Sequence, residues 1–550
     1  MTTLEHPEGS PVAQGVPPVA SPSVASWDSW LQAGTTSSSS ASASAVVVEL
    51  PQALRVIPVH STEHERRLQR RKAPKVRLSL LVGLVVAATC LCLQVNEPRA
   101  TPLNYFLSVV WSMYVPLGVV GVTGTIYLLR RRRPDRGMRH AVPKARHRFP
   151  KHRNKVARST YSDRSDQMLV VTIPTLLAAG NFPALQRVLL SNLVNLPRHF
   201  THFRVDVITE GDVDDSPLRA WLESLGSMGD VVRIVNVPSS YETPNGARFK
   251  TRANQYAMEA RRRDGENTAA TYVYHLDDDT HIGTDTAASL AEFIERDGGR
   301  FLLAQGVLAF PHFLTPSWFC RLADSIRPAD DLTRFAFFTG LLGTPLGGLH
   351  GEHVIIRADV EDEIGWDFPN TVIEDAYFAI EFAARHPRRS TVLNSYCYGA
   401  SPSSVRDLLR QRRRWIEGLL RLAVNRSLPL KQKLPLLYSI FTWSLAPLQF
   451  VAVAMLISFA TGVDSTSPVS TWVLPLWGFG LGYVFWLYIE GLKINVSASD
   501  RPRSFGWLAL LLIPAIYVIT AVETLGVVLG IVRFLGIGRQ RVSEVITKPI

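Results

Sequence analysis

The chain has 550 residues, a formal net charge of +12 and 46% hydrophobic residues. That length exceeds one ordinary core and calls for two or more structural units. Cys90, Cys92, Cys320 and Cys397 have neither a metal-site spacing nor a disulfide framework, which excludes a cysteine-built scaffold.

Residues 1–65 open the chain as a tail without structure, rich in Ser, Ala, Pro and Val over the first 50 positions. Five apolar stretches follow, near 78–95, 103–129, 434–461, 470–492 and 507–532, each long enough for a helix across a bilayer, which takes about 20 residues. The first two make a hairpin within 66–130. Apolar sequence begins only after the basic flank at 66–77, so no cleavable leader is expected. Residues 130–158 carry 13 Lys/Arg against one acid, Asp135. Directly after an apolar span, such a run reads as a cytoplasmic flank drawn to anionic membrane lipids. No nucleic-acid partner is expected, because no reading module or interleaved aromatics accompany the run.

The charge rule thus predicts a multi-pass integral membrane protein with a basic linker at 131–160 and the following domain in the cytoplasm. In a bacterium the membrane would be the plasma membrane. Lys493, Arg501 and Arg503 then fall inside as the rule demands, whereas Arg533, Arg539 and Arg541 fall outside. Either Pro514 makes the last segment re-entrant, or the tail is an exception.

Between 161 and 430 the pattern is that of a soluble domain. Strands are predicted at Met168–Ile173, Phe203–Ile208, Val231–Asn236, Thr271–Leu276, Leu302–Val307 and Val354–Arg357. Helices are predicted at 183–196, 216–226, 249–263 and 285–296. This alternation argues for an α/β fold with a mostly parallel, doubly wound sheet. Residues 431–550 complete the chain as membrane helices and a short tail.

The fourth predicted strand runs into Asp277, Asp278 and Asp279. Ligands of open α/β sheets bind at that carboxyl rim. Crowded carboxylates there call for a hard cation, Mg2+ or Mn2+, which in turn holds the phosphates of a nucleotide. Three clusters come later. Leu349–Ile356, LHGEHVII, reads first as a polar loop running into a strand, with His350, Glu352 and His353 available to a site. Glu374 and Asp375 open a helix, where acids are often only dipole partners but can also serve as a general base. Asp407–Gly418, DLLRQRRRWIEG, sets guanidinium groups beside an indole, suited to diphosphate binding and sugar stacking, or to lying on a membrane surface.

In this order, D-D-D, then E-D, then Q-x-x-R-W between apolar spans, the clusters resemble the signature of family 2 inverting glycosyltransferases. The resemblance covers about 165–425 and implies a GT-A (Rossmann-like) catalytic domain at 161–430 with an interfacial helix at its end. Within that family the chain is most similar to the egghead-type β-1,4-mannosyltransferases. The likeness rests on NFPAL at 181–185, NGARFKTRANQYAMEA at 245–260 and LADSIRPADDLTR at 322–334. The chain has HLDDD where that type has HLDEE, and GLHGEHVI at 348–355 where it has G-x-K-G-S-Y-V-V.

Carried over residue by residue, the resemblance implies Asp375 as base with Glu374 beside it. Asp277 and Asp279 take the metal, and Asp277, Asp278, Glu210, Lys250, Arg252, Gln411 and Arg414 take the donor. Trp415 takes the acceptor sugar, and His350 and Glu352, from the loop that departs from the family pattern, are candidates to face the acceptor on their own account. The implied partners are a nucleotide-sugar donor, GDP-mannose first, and a lipid-linked or glycan acceptor. Three other readings stay open: a processive polysaccharide synthase, a nucleotidyltransferase, and a transport or scaffold protein without catalysis. Glu490 and Glu523, within apolar spans, bear on the last.

Overall fold

The computed structural model describes residues 115–131, 164–445, 473–497 and 505–536, apart from a few interior positions, together with a helical stretch at 83–88 and isolated residues elsewhere. The N-terminal tail, the basic run from 132 to 158 and the chain after 536 lie outside the described residues. So do most of the first apolar span, the start of the second and the greater part of the third.

The centre is an eight-stranded sheet ordered β3-β2-β1-β4-β7-β6-β8-β5. Its strands are β1 (Met168–Pro174), β2 (Phe203–Glu210), β3 (Val232–Val237), β4 (Thr271–His275), β5 (His281–Ile282), β6 (Leu303–Ala309), β7 (Val354–Arg357) and β8 (Ser390–Tyr398). The helices that follow the early strands are α2 (Phe182–Asn195), α3 (Ser216–Ser224), α4 (Phe249–Arg263) and α5 (Thr284–Glu292), while α1 (Val115–Arg131) precedes the sheet. The six expected strands and four expected helices therefore form close to their expected places. Pro183 stands in the first turn of α2, where its missing N–H costs nothing.

The sheet is mixed, parallel but for β7 and β5. β3, β2, β1 and β4 run parallel, but β7 lies antiparallel between β4 and β6. The cause is the path of the chain. After β6 it stays at the carboxyl rim through α6 (Trp318–Ala323), α7 (Ile326–Asp330) and the wider-wound turns of Asp331–Leu341, and so enters β7 from that rim. The register pairs His275 with Val354. The residues just before β7 are thereby placed against those just after β4.

Apolar side chains cover both faces. Leu185, Val188 and Leu189 of α2 meet Leu169, Val171 and Ile173 on one side. On the other, Val273 and Ile356 meet Phe378 and Phe382 of α9 (Glu374–Arg385), with Trp366 following α8 (Ala358–Ile364). Ile416 of α10 (Val405–Val424) joins that second cluster, as do Leu436 and Ile440 of α11 (Leu430–Ser444).

Two further helices, α12 (Val473–Ser497) and α13 (Phe505–Phe534), dock onto this body through bare backbone. A β-carbon at Gly491 of α12 would lie 1.6 Å from the Ser325 carbonyl oxygen. One at Gly530 of α13 would lie 1.7 Å from Ile416 Cγ2, and one at Gly526 would lie 2.7 Å from Arg412 Cβ. Gly526 and Gly530 are four apart, a spacing that lets helices approach closely. Gly124 of α1 is pressed in the same way against the Thr333 carbonyl oxygen, at 2.0 Å. Among the described residues α13 is the one helix long and apolar enough to cross a membrane.

Inside the sheet the tightest glycine is Gly306 of β6, where a β-carbon would fall 1.8 Å from His353 Nε2. His353 is fully buried, in the left-handed region at φ 56°, and its Nδ1 pairs with the Tyr274 hydroxyl at 2.8 Å. Gly306→Ala is expected to cost about 1–3 kcal/mol through overpacking. Gly180→Ala, with nothing within 4 Å of the added carbon, is expected to change the denaturation midpoint little.

Candidate active site

Asp277, Asp278 and Asp279 follow β4 at the carboxyl rim, and the turn is closed by the Thr280 N–H donating to the Asp277 carbonyl at 3.2 Å. Successive side chains diverge. Asp278 is buried and accepts from the Thr175 hydroxyl at 2.8 Å, tying the end of β1 to the end of β4. Asp277 and Asp279 instead join Glu352 from the loop before β7. Each of the three offers a carboxylate oxygen, all within 4.8 Å of one another. The antiparallel β7 makes this meeting, since a parallel strand would start at the opposite rim. Glu352 also accepts from the Thr280 hydroxyl.

Lys250, in the first turn of α4, reaches the same point. Its Nζ is 2.5 Å from Asp277 Oδ1, donates to the Gly351 carbonyl at 2.7 Å and lies 3.7 Å from Glu374 Oε1. Glu374 and Asp375 open α9 as the sequence suggests. A β-carbon on Gly351 would stand 3.5 Å from Glu374 Oε1 and 3.9 Å from Asp375 Oδ2, so this glycine separates the acidic pair from the three-carboxylate cluster. Asp375 accepts from the Ala376 N–H at 2.7 Å. Phe249 and His353, next to Lys250 and Glu352, both hold left-handed backbone, at φ 54° and 56°. Such strain, about 1–3 kcal/mol for each residue, gathers where a site is held in a fixed shape.

The Gln411–Trp415 stretch lies on α10. Arg412 is the buried member, with Nη2 3.0 Å from Asp324 Oδ1, Nε 2.9 Å from Glu523 Oε1 and Nη1 2.9 Å from Gln411 Oε1. Its guanidinium lies 4.4 Å from the centre of the Trp415 ring. Arg414 is exposed. Arg327 of α7 connects this helix to the carboxylates: its guanidinium is 5.6 Å from the Trp415 ring, 4.1 Å from the Phe310 ring and 3.7 Å from Glu352 Oε1. Neither Arg327 nor Asp324 is among the site residues expected from the sequence, although both lie in LADSIRPADDLTR. The dense charge of that stretch was the signal.

Other expected residues are engaged elsewhere. Arg252 pairs with Glu210 and donates to the carbonyls of Tyr241 at 2.9 Å and Pro238 at 2.5 Å, fastening the chain that leaves β3. His350 pairs with Asp331 and packs 4.6 Å from the Phe335 ring. Glu523, an apolar-span acid in the sequence, is the partner of Arg412.

The electrostatics follow from crowding. Burial, with Asp277 and Asp279 beside it, pushes the Glu352 carboxyl up to about 7, against the pull of Arg327. Burial and the neighbouring Glu374 push Asp375 to about 7 as well, opposed by the Ala376 N–H, Lys250 and His350. Burial works against the Lys250 charge, yet Asp277 and Glu374 outweigh it and raise its pKa above the ordinary value. Three hard oxygen donors with one carboxyl held near neutrality suit a divalent cation such as Mg2+ or Mn2+.

Residues 272–492 match the family described as Glycosyl transferase family group 2. The chain is 30% identical over 221 residues to Beta-1,4-mannosyltransferase bre-3 of Caenorhabditis briggsae, which is 40% of this chain and 47% of that protein. To Beta-1,4-mannosyltransferase egh of Drosophila melanogaster it is 28% identical over 275 residues, 49% of this chain and 56% of that one. The chain spans about half the length of the curated relatives it matches. Among solved structures it is similar to a Pyrobaculum calidifontis mannosyltransferase in complex with GDP-Man and Mn2+, at 14% identity and a TM-score of 0.36, over 70% of this chain and 99% of that one. Residues 272–492 therefore resemble the family 2 glycosyltransferases, and the relatives matched are of the egghead type that the sequence motifs suggested.

The raised carboxyls fix the sign of two pH effects. Their protons stabilise the cation-free fold at low pH, and that stability is lost as pH rises from ordinary carboxyl values through about 7. A Mn2+ ion held by Glu352 would need that carboxyl ionised, so its affinity is expected to rise between pH 6 and pH 8, by up to about tenfold per unit for one released proton. Glu352→Gln is expected to weaken binding and flatten that slope in a calorimetric titration. A slope unchanged in the variant would exclude Glu352 as a ligand.

Proposed function

We propose that the chain is a membrane-bound inverting glycosyltransferase that moves a sugar from a nucleotide sugar, GDP-mannose first, to a glycan or lipid-linked acceptor. The observation carrying this reading is the convergence of Asp277, Asp279, Glu352, Lys250, Glu374 and Asp375, from four separate stretches of chain, on one point of the carboxyl rim. The mannose assignment rests on the β-1,4-mannosyltransferase relatives.

Asp277, Asp279 and Glu352 would hold the divalent ion, which supplies positive charge to the phosphates of a bound donor. Asp375 takes the proton of the acceptor hydroxyl. That oxygen bonds to the anomeric carbon, and the bond from this carbon to the donor phosphate breaks. Its electron pair leaves with the nucleoside diphosphate. One displacement inverts an α-linked donor into a β-glycoside, and no covalent sugar–protein intermediate forms. A carboxyl tuned to about 7 is well matched to a base working near neutral pH. Lys250 holds Asp277 and Glu374 in register and keeps Glu374 from repelling the incoming oxygen. Gln411, Arg414 and Trp415 complete the pocket from α10, with residues 161–430 as the catalytic domain.

The membrane part of the reading is supported by α13, which leaves Trp507, Leu510, Ile513, Val518, Leu525 and Val528 exposed along its length. An apolar face of that extent is what lipid covers. The other spans, and a cytoplasmic site beneath them, complete the proposal.

Asp375→Asn is expected to keep the fold and donor binding while lowering transfer at least about a hundredfold, within the usual range for a lost general base. Wild-type transfer should fall below about pH 7 as Asp375 is protonated, and a flat profile would contradict the base assignment. A panel of GDP-mannose, UDP-glucose and UDP-N-acetylglucosamine, assayed with Mn2+, tests the donor. Binding of none of the three would overturn the function proposed.

A further inference from the structure

Arg327 stands out among the cations around the cluster because its ion pairs are long ones. Its nearest acids are Glu352 at 3.7 Å and Asp324 at 4.0 Å. Asp324 is already bonded to Arg412 at 3.0 Å. Among the described residues the Arg327 guanidinium makes no hydrogen bond, although its side chain is only 15% exposed. Lys250 differs, being fixed by Asp277 and the Gly351 carbonyl, and so does Arg412, held by three oxygens.

Its place is nevertheless set with care. The ring of Phe310 lies 4.1 Å from the guanidinium, and the indole of Trp415 lies 5.6 Å away. Aromatic faces hold a cation without using its N–H donors. Both rings are themselves anchored. The Phe310 N–H donates to Asn495 Oδ1 of α12 at 2.9 Å, and Trp415 rests beside Arg412. The platform thus leaves the guanidinium beside the carboxylate cluster with two long ion pairs and, among the described residues, no hydrogen bond. An anion with several acceptor oxygens, bridging from a cation on Asp277, Asp279 and Glu352, would find the guanidinium there.

We propose that Arg327 is a further phosphate-binding residue of this site, contacting the diphosphate of the nucleotide donor and neutralising it as it departs. The inference rests on the nucleotide-sugar reading above. The bond to the sugar breaks toward the phosphate oxygen, whose added charge falls on the guanidinium, while the acceptor proton goes to Asp375. Trp415 is then a positioning residue that holds Arg327 rather than only a surface for a sugar.

The test compares the full chain with Arg327→Gln and Arg327→Lys in detergent, using as probes Mn2+ alone and GDP, UDP, inorganic pyrophosphate and a prenyl diphosphate, each with Mn2+. Binding of Mn2+ alone should persist in both variants, which also reports an intact cluster. The affinity for whichever of GDP or UDP binds the wild type should fall about ten- to a hundredfold in Arg327→Gln, as for one lost charge-assisted contact. Pyrophosphate, without base or ribose, should lose a similar factor. Arg327→Lys should recover part of the loss, since it keeps the charge but not the planar fork. Unchanged GDP and UDP affinity in Arg327→Gln with Mn2+ binding intact would overturn the role of Arg327 alone. Failure of the wild type to bind either nucleotide would overturn the function itself. If a prenyl diphosphate, and neither nucleotide, were the probe that depends on Arg327, the residue would serve the acceptor and this assignment would fall.

Discussion

The mutual repulsion of Asp277, Asp279 and Glu352 is the constraint around which the rest of this domain is arranged. Oxygens of three carboxylates within 4.8 Å oppose one another strongly when all are ionised. The chain answers in three ways at once. It holds one proton on the cluster near neutrality, it brings Lys250 onto Asp277, and it keeps Arg327 within 3.7 Å of Glu352. Each answer is partial, and together they leave three carboxylate oxygens that could hold a small divalent ion. Electrostatic preorganisation of this kind is effective because the cost of assembling the charges falls on folding.

The geometry that creates the repulsion comes from one strand direction. Were β7 parallel to β4, the loop carrying Gly351 and Glu352 would sit at the far rim and Asp277 and Asp279 would face only each other. The antiparallel insertion brings two loops nose to nose, and Gly351 allows Lys250, Glu374 and Asp375 to close around them. The same loop, 348–355, is where the sequence departs from G-x-K-G-S-Y-V-V. His350, Glu352 and His353 stand at altered polar positions, and the structure gives them different tasks: the first pairs with Asp331, the second joins the acidic cluster and the third meets the Tyr274 hydroxyl.

Much of this was legible in the sequence. Period and length gave six strands and four helices, because strong apolar runs bounded by polar turns have few alternatives. The triple aspartate marked its own position at a strand end. What stayed hidden had physical reasons. β8, STVLNSYCY, mixes small polar residues into its apolar pattern, and β5 is two residues long. Strand direction leaves no imprint on composition, so the mixed sheet, and with it the part played by Glu352, could not be read. Nor could the difference between Asp278 and its neighbours, which depends on which way each side chain leaves the turn. Arg412 and Glu523 are 111 positions apart and recognise each other only when α10 and α13 touch.

That touch is made by Gly526 and Gly530, and its consequence is mechanical. Side chains are springs, and a joint built from them absorbs small displacements before passing them on. Here backbone meets side chain with no such cushion, so a tilt or rotation of α13 shifts Ile416 and Arg412 directly, and Trp415 with them. The position of α13 is thereby coupled stiffly to the residues gathered at the rim.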